Sequence, residues 1–280
     1  MADPLHDLHN DIRKLADRAI TIGEAELEAR FVWGSYSSEG VRFGFFRVLE
    51  ELDMLEAVLN AGSERVSQAR AILAGYHEAY RDLEALVWGL DDEAASTSPG
   101  GEEWDVRTTY AHILGADFGF FVVTRFALDL HRAGEWSPDH KIKDGDYDRI
   151  LETDETRYLE LMDSPLSILR REHRLFHDRV LAALSDITDV ELDLPSKYWE
   201  AETHPLRFRL GRFASHMRQH TIQIEKTLPA TGRPLNETSL LVRRILNRLA
   251  GIENVGRTPD PAAVQPARDA LRAVFAAISP

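Results

Sequence analysis

The sequence predicts an all-α protein, a four-helix bundle with helical extensions at its N- and C-terminal ends. Three observations carry that prediction. Nearly every long segment spaces its apolar residues three and four apart, the period of a helix with one buried face. No segment sustains the period-two alternation of a half-buried strand. The breaks between periodic segments are polar or rich in Gly and Pro, as helix connections are.

Residues 5–22 read as an exposed amphipathic helix, followed by a mixed stretch with Phe31, Val32 and Trp33 as a short apolar knot. VRFGFFRVLEELDMLEAVL, residues 41–59, is a second helix, with Phe45, Val48, Leu49, Leu52, Leu55 and Leu59 on one stripe. Asn60, Ala61 and Gly62 end it, and Ser63 can cap the next start. The first bundle helix spans 64–90 and carries Val66, Ile72, Leu73, Tyr76, Tyr80, Leu83 and Val87. DDEAASTSPGGEE, 91–103, is a loop by composition. The second bundle helix starts after Asp105, an N-cap residue type, and stops at Gly134. GEWSPDHKIKDGDYD then reads as a loop. The third helix starts with Ser164 as cap and Pro165 at the first helical position, and ends near Leu184. SDITDVELDLPSKYWEAETHP is a long irregular link with a short extended piece. The fourth helix covers 207–228 and is stopped by Pro229 and Gly232. Two further helical patterns, 237–250 and 262–278, close the sequence. The predicted organisation is an extension at 1–62 packing on a bundle at 63–232, then a helical tail at 233–280.

A length of 280 residues is enough to bury a sizeable core. The net charge of −14 argues against a nucleic-acid partner, because binding a phosphate backbone needs clustered positive charge. There is no cysteine, which excludes disulfides, zinc–thiolate clusters and cysteine nucleophiles. Any metal site has to use His, Asp or Glu. MADPLHDLHNDIRKLAD lacks the apolar run of a signal peptide, and no stretch is long and apolar enough to span a bilayer. The expectation is a cytoplasmic protein without a membrane partner. The amphipathic surfaces at 5–22 and 41–59 allow a homodimer.

RFASHMRQHTIQIEKTL, residues 212–228, holds the most informative pair. His216 and His220 lie about 40° apart around a helix and one turn apart along it, so both rings can reach one ion. They share a stripe with Phe213, Met217 and Ile224, which turns them towards the bundle interior, where an unpartnered imidazole is costly. Met217 follows His216, so the glutamate that a zincin motif needs is absent. A third ligand has to come from another helix, and His77, His112, His131, His173 and His177 are the candidates. His112 is preferred because its face carries the small residues Thr108, Gly115, Ala116 and Gly119. Those residues either leave room for a metal and a substrate or let two helices approach closely.

EEWDVRTTYAHILGADF resembles a segment of the DinB/YfiT-like family, with Trp104, Asp105, Arg107 and His112 in the matching places. RFASHMRQHTIQI resembles that family's second motif through His216, His220, Gln223 and Ile224. The resemblance covers residues 63–232. It implies a divalent metal held by His112, His216 and His220 with open positions, zinc or nickel being the usual occupants in such relatives. It also implies one of two activities, a transferase using a low-molecular-weight thiol such as mycothiol or bacillithiol, or a metal-dependent hydrolase acting on a small molecule. Three imidazoles suit Zn, Ni, Fe or Cu better than Mg or Ca, and leave the ion's charge uncompensated for a thiolate. The absence of an adjacent carboxylate base favours the thiol. A non-catalytic metal-binding or helical interaction protein is the alternative.

Other residues are weighed against plainer roles. His173 lies on the stripe Leu169, His173, Phe176, Val180 and Leu184, and can support the site from behind or stand as an ordinary buried histidine. His177, among Arg174, Asp178 and Arg179, reads as a surface residue. Gln223 can orient a ligand imidazole through its second nitrogen, or sit exposed. Asp117 reads as a structural hydrogen-bonding residue. Arg207, Arg209, Arg212 and Arg218 can hold a substrate carboxylate, but read first as a solvated face.

Overall fold

The structure, a computed structural model, describes residues 4–36, 40–61 and 66–279. The helices in chain order are α1 (Pro4–Ala19), α2 (Glu24–Leu27), α3 (Gly40–Asn60), α4 (Gln68–Leu86), α5 (Asp92–Ala95) and α6 (Val106–Ala133). They continue with α7 (Asp144–Leu151), α8 (Glu155–Met162), α9 (Leu166–Leu184), α10 (Leu206–Thr227), α11 (Glu237–Val255) and α12 (Pro261–Ile278). The link before α10 holds a short antiparallel hairpin of β1 (Pro195–Ser196) and β2 (His204–Pro205), with Ser196 opposite His204. No helix is long and apolar enough to cross a membrane among the described residues.

The chain divides into two compact units. One gathers Met1–Arg65, Arg81–Gly89 and Leu235–Pro280. In it α3 packs along α11 and α12, and α1 packs along α12 and α11. Its core is apolar and mostly aliphatic: Leu8, Ile12 and Leu15 of α1, Val48, Leu52 and Leu55 of α3, Leu246 and Leu249 of α11, and Leu271 and Val274 of α12 are all buried, with Phe31 and Phe45 among them. Each such side chain contributes about 1.5–3 kcal/mol by leaving water. Residues 5–22 are therefore not an exposed helix. The apolar faces of α1 and α3 are filled inside this unit.

The other unit, Val66–Tyr80 with Leu90–Pro234, is the bundle. α6 packs against α10 and α9, and the first half of α4 joins them through Tyr76, whose ring lies 4.9 Å from Phe213. α6 begins and ends where its sequence says. The Asp105 carboxylate accepts from the Thr108 amide at 2.6 Å, which satisfies one of the free donors of the first turn. Gly134 closes the helix in the left-handed conformation, φ 73°, open to a residue without Cβ.

Other boundaries move. The capping role expected of Ser63 and the stop at Gly62 fall outside the described residues. α4 starts at Gln68, with Ser67 Oγ accepting from the Arg70 amide at 3.2 Å, and Val66 is exposed ahead of it. α9 starts one residue later than expected. Pro165 is its cap, and the Ser164 hydroxyl turns back to donate to Glu160 O at 3.0 Å.

The stretch read as a loop after Gly134 contains the start of α7, and α8 follows it. Both are two-turn helices with weak sequence signals, stabilised by what surrounds them. Asp144 and Asp146 sit in the first turn of α7, where negative charge is favoured. At the other end Arg179 of α9 donates to Ile150 O and Leu151 O, at 2.7 and 2.9 Å, and so satisfies carbonyls that the helix leaves open.

Candidate metal centre

α6 and α10 bring three imidazoles together. His112 of α6 meets His216 and His220 of α10 at ring separations of 5.0 and 4.6 Å, and the two α10 rings are 4.4 Å apart. One ring nitrogen from each lies within 4.8 Å of the others, a spacing that fits a single metal ion. No carboxylate or other histidine joins this group among the described residues. The i,i+4 spacing of His216 and His220 puts both on the face of α10 that α6 covers, and both are buried. His112, two turns into α6, is the most open of the three, with the ring of Trp104 5.1 Å away.

The electrostatics suit a cation. Burial holds His216 neutral, its pKa lowered to about 3, with the neighbouring His220, His112 and Arg212 adding repulsion. Burial and His220 lower His112 too. Neutral imidazoles keep the lone pairs that a metal needs. His216 Nδ1 is buried with no hydrogen-bond partner, a costly state for a ring nitrogen that has no ligand. His220 donates from Nδ1 to Gln223 Oε1 at 2.8 Å, which fixes its ring and leaves Nε2 with its lone pair.

The small residues beside His112 admit tyrosine hydroxyls. A Cβ on Gly115 would come within 2.9 Å of Tyr158 Oη, and one on Gly119 within 3.1 Å of Tyr198 Oη. Tyr158 comes from α8 and Tyr198 from the loop between β1 and β2. With Tyr147, Asp144 and Asp148 these residues line a cavity of about 400 Å³ that begins one turn along α6 from His112. Tyr147 donates to Tyr198 at 2.6 Å. Burial raises the pKa values of Tyr147 and Tyr158, so both phenols stay protonated and able to donate. No periodicity or motif pointed to these tyrosines.

The remaining candidates go elsewhere. His173 is fully buried but belongs to a separate network, with Tyr110 Oη and Asp117 Oδ2 each 3.2 Å from its ring nitrogens. The Tyr76 hydroxyl donates to the same carboxylate oxygen at 2.9 Å, which makes Asp117 the structural hydrogen-bonding residue its position suggested. Burial raises the pKa of Asp117, and its hydrogen bond with His173 opposes that shift. His177 is not on the surface. It is fully buried, stacked 4.0 Å from Tyr80, with Nε2 2.9 Å from His77 Nδ1. His131 contacts Pro195 O at 2.7 Å and stacks on Trp136.

The arginine run is not one solvated face. Arg209 is buried and binds Glu200 through two hydrogen bonds, at 2.7 and 3.0 Å. Arg207 pairs with Asp193, and Arg218 reaches Gly75 O at 3.0 Å and lies 3.7 Å from Glu78. Arg212 lies over the ring of Phe120, 5.6 Å from its centroid.

The sequence model of the DinB superfamily matches residues 76–224. That span contains the three clustered histidines, Gln223 and the buried Asp117–His173 pair. No curated protein and no solved structure was found to match the chain.

Proposed function

The chain belongs to the DinB superfamily, and from that premise we propose that His112, His216 and His220 hold a divalent transition metal, zinc or nickel, in a transferase that uses a low-molecular-weight thiol. The observation that carries this reading is the donor set, three imidazoles with no carboxylate in the group among the described residues. Such a set leaves the charge of a dication uncompensated, so an anionic sulfur is the ligand it favours. A bound ion there supplies Lewis acidity, which lowers the pKa of a coordinating thiol or water.

The protein's own residues supply the setting. Burial keeps His216 and His112 neutral at physiological pH. Gln223 orients His220 through its second nitrogen. Trp104 and Phe120 flank His112 and His216 with apolar surface, which limits water around the rings. The protonated phenol of Tyr158 in the neighbouring cavity is a donor for a small-molecule substrate.

Hydrolysis is the second reading, since the same Lewis acid serves it. It also needs a proton acceptor, and no carboxylate joins the histidine group among the described residues. A non-catalytic metal-binding or helical interaction protein is the third. The acidic balance of the chain argues against a nucleic-acid partner.

Cobalt-substituted protein, titrated with a small thiol, tests the choice. The thiol reading expects the intense near-ultraviolet absorption of a cobalt–thiolate bond, rising to one thiol per cobalt. A cobalt spectrum that ignores thiols but changes with pH points to a coordinated water and to the hydrolase. A spectrum indifferent to both leaves a closed, non-catalytic site.

A further inference from the structure

Arg212 stands apart from the other arginines on its helix. Arg207, Arg209 and Arg218 each engage a carboxylate or a carbonyl. The guanidinium of Arg212 has no hydrogen bond or ion pair among the described residues, in a chain that carries 47 acidic side chains against 33 lysines and arginines. It is half-buried, so it has given up part of its hydration without gaining an anion. Its one ring contact is Phe120, and the edge of that ring meets His216, with centroids 5.5 Å apart. Arg212 also lies four residues before His216, which puts it on the same face of α10 one turn along. The stacking holds the planar fork in place and leaves its N–H donors uncommitted.

We infer that Arg212 is the anion-recognition residue of the histidine site, and that the thiol carries a carboxylate, bound by Arg212 while its sulfur lies at His112, His216 and His220. This rests on the metal–thiol reading above. A guanidinium fork pairs with a carboxylate through two parallel hydrogen bonds, which gives orientation as well as attraction. One local positive group also offsets the repulsion that a net charge of −14 exerts on an anionic substrate. The absence of a carboxylate partner among the described residues is what leaves the fork available for one from the substrate.

The test compares 3-mercaptopropionate with 3-mercapto-1-propanol, which share a thiol and differ in the carboxylate. Zinc-loaded full-length protein is titrated calorimetrically with each. The expected result is an affinity about tenfold or more higher for the carboxylate, the scale of a charge-assisted hydrogen bond. Arg212→Gln removes that preference with bound zinc unchanged, and Arg212→Lys restores part of it. Equal affinities in the wild type, or a preference that survives in Arg212→Gln, overturn the inference. Failure of the metal reading shows separately, as absent zinc uptake. In either case the Nε–H resonance of Arg212, identified by its loss in Arg212→Lys, is followed on zinc-loaded and metal-free protein. A shift with the mercaptocarboxylate and none with the alcohol supports the assignment, and no shift in either form overturns it.

Discussion

The two units bury different kinds of side chain. Among the described residues, the unit built from both ends of the chain has an apolar core, with Glu84 and Thr238 its buried polar side chains, whereas the bundle buries His77, Asp117, His173, His177, Arg209, His216 and His220. Apolar burial stabilises a fold without needing particular partners. Buried histidines and carboxylates cost stability unless each finds one. The second unit carries groups whose cost specific hydrogen bonds have to offset.

The largest expected effect breaks the bundle's buried network. Asp117→Ala strips His173 and the Tyr76 hydroxyl of a shared partner where no water reaches, and should cost about 3–5 kcal/mol. Leu52→Ala, in the other core, should cost a similar or smaller amount, about 2–5 kcal/mol, by leaving a cavity. Urea unfolding measures both. The contrast between the units lies in repair. Leu52→Met should recover most of the stability because shape is all that was lost, while the equally isosteric Asp117→Leu should not, since it restores no acceptor. If Asp117→Leu is as stable as the wild type, the bundle core has no need of its polar groups and the contrast fails.

A smaller effect is expected at Gln223. Gln223→Leu frees His220 Nδ1 and should weaken metal affinity about ten- to a hundredfold with little change in fold. Competition against a chelator of known affinity reads it, and unchanged affinity would remove Gln223 from the site.

Another effect is expected in the pH dependence of the metal-free protein. The folded-state pKa of His216 is depressed to about 3, against about 6.5 in an unfolded chain. Between those values the unfolded state binds a proton that the folded state does not, so stability should fall as pH drops through that window. His216→Gln should flatten this slope between pH 7 and pH 4 in matched urea titrations, while the carboxylate contributions common to both proteins cancel. An identical slope would mean that His216 is as accessible to protons folded as unfolded.

What was legible in the sequence was local. Asp105 and Gly134 bound α6 because a cap and a left-handed stop depend on residues within a turn. His216 and His220 were legible because their spacing fixes a shared face whatever the fold. The third histidine of the cluster came from the resemblance and from its small neighbours, not from spacing. His173 and His177 repeat the His216–His220 spacing on α9, yet their partners are Asp117, Tyr110, His77 and Tyr80 from other helices, and nothing local distinguishes the two pairs. α7 and α8 were missed for the same reason. Asp144-Gly145-Asp146 has loop composition, and the helix it opens depends on Arg179 and Tyr198 from elsewhere. The tyrosine-lined cavity left no mark on the sequence, because four separate segments build it.

The most direct test of the metal centre is elemental analysis of the untagged protein after reconstitution with zinc or nickel, wild type beside His112→Ala and His216→Ala. The prediction is about one equivalent of metal in the wild type, lost in both variants while their circular dichroism still shows helix. A wild type that retains no metal, or variants that keep it, would contradict the assignment of His112, His216 and His220 to one site.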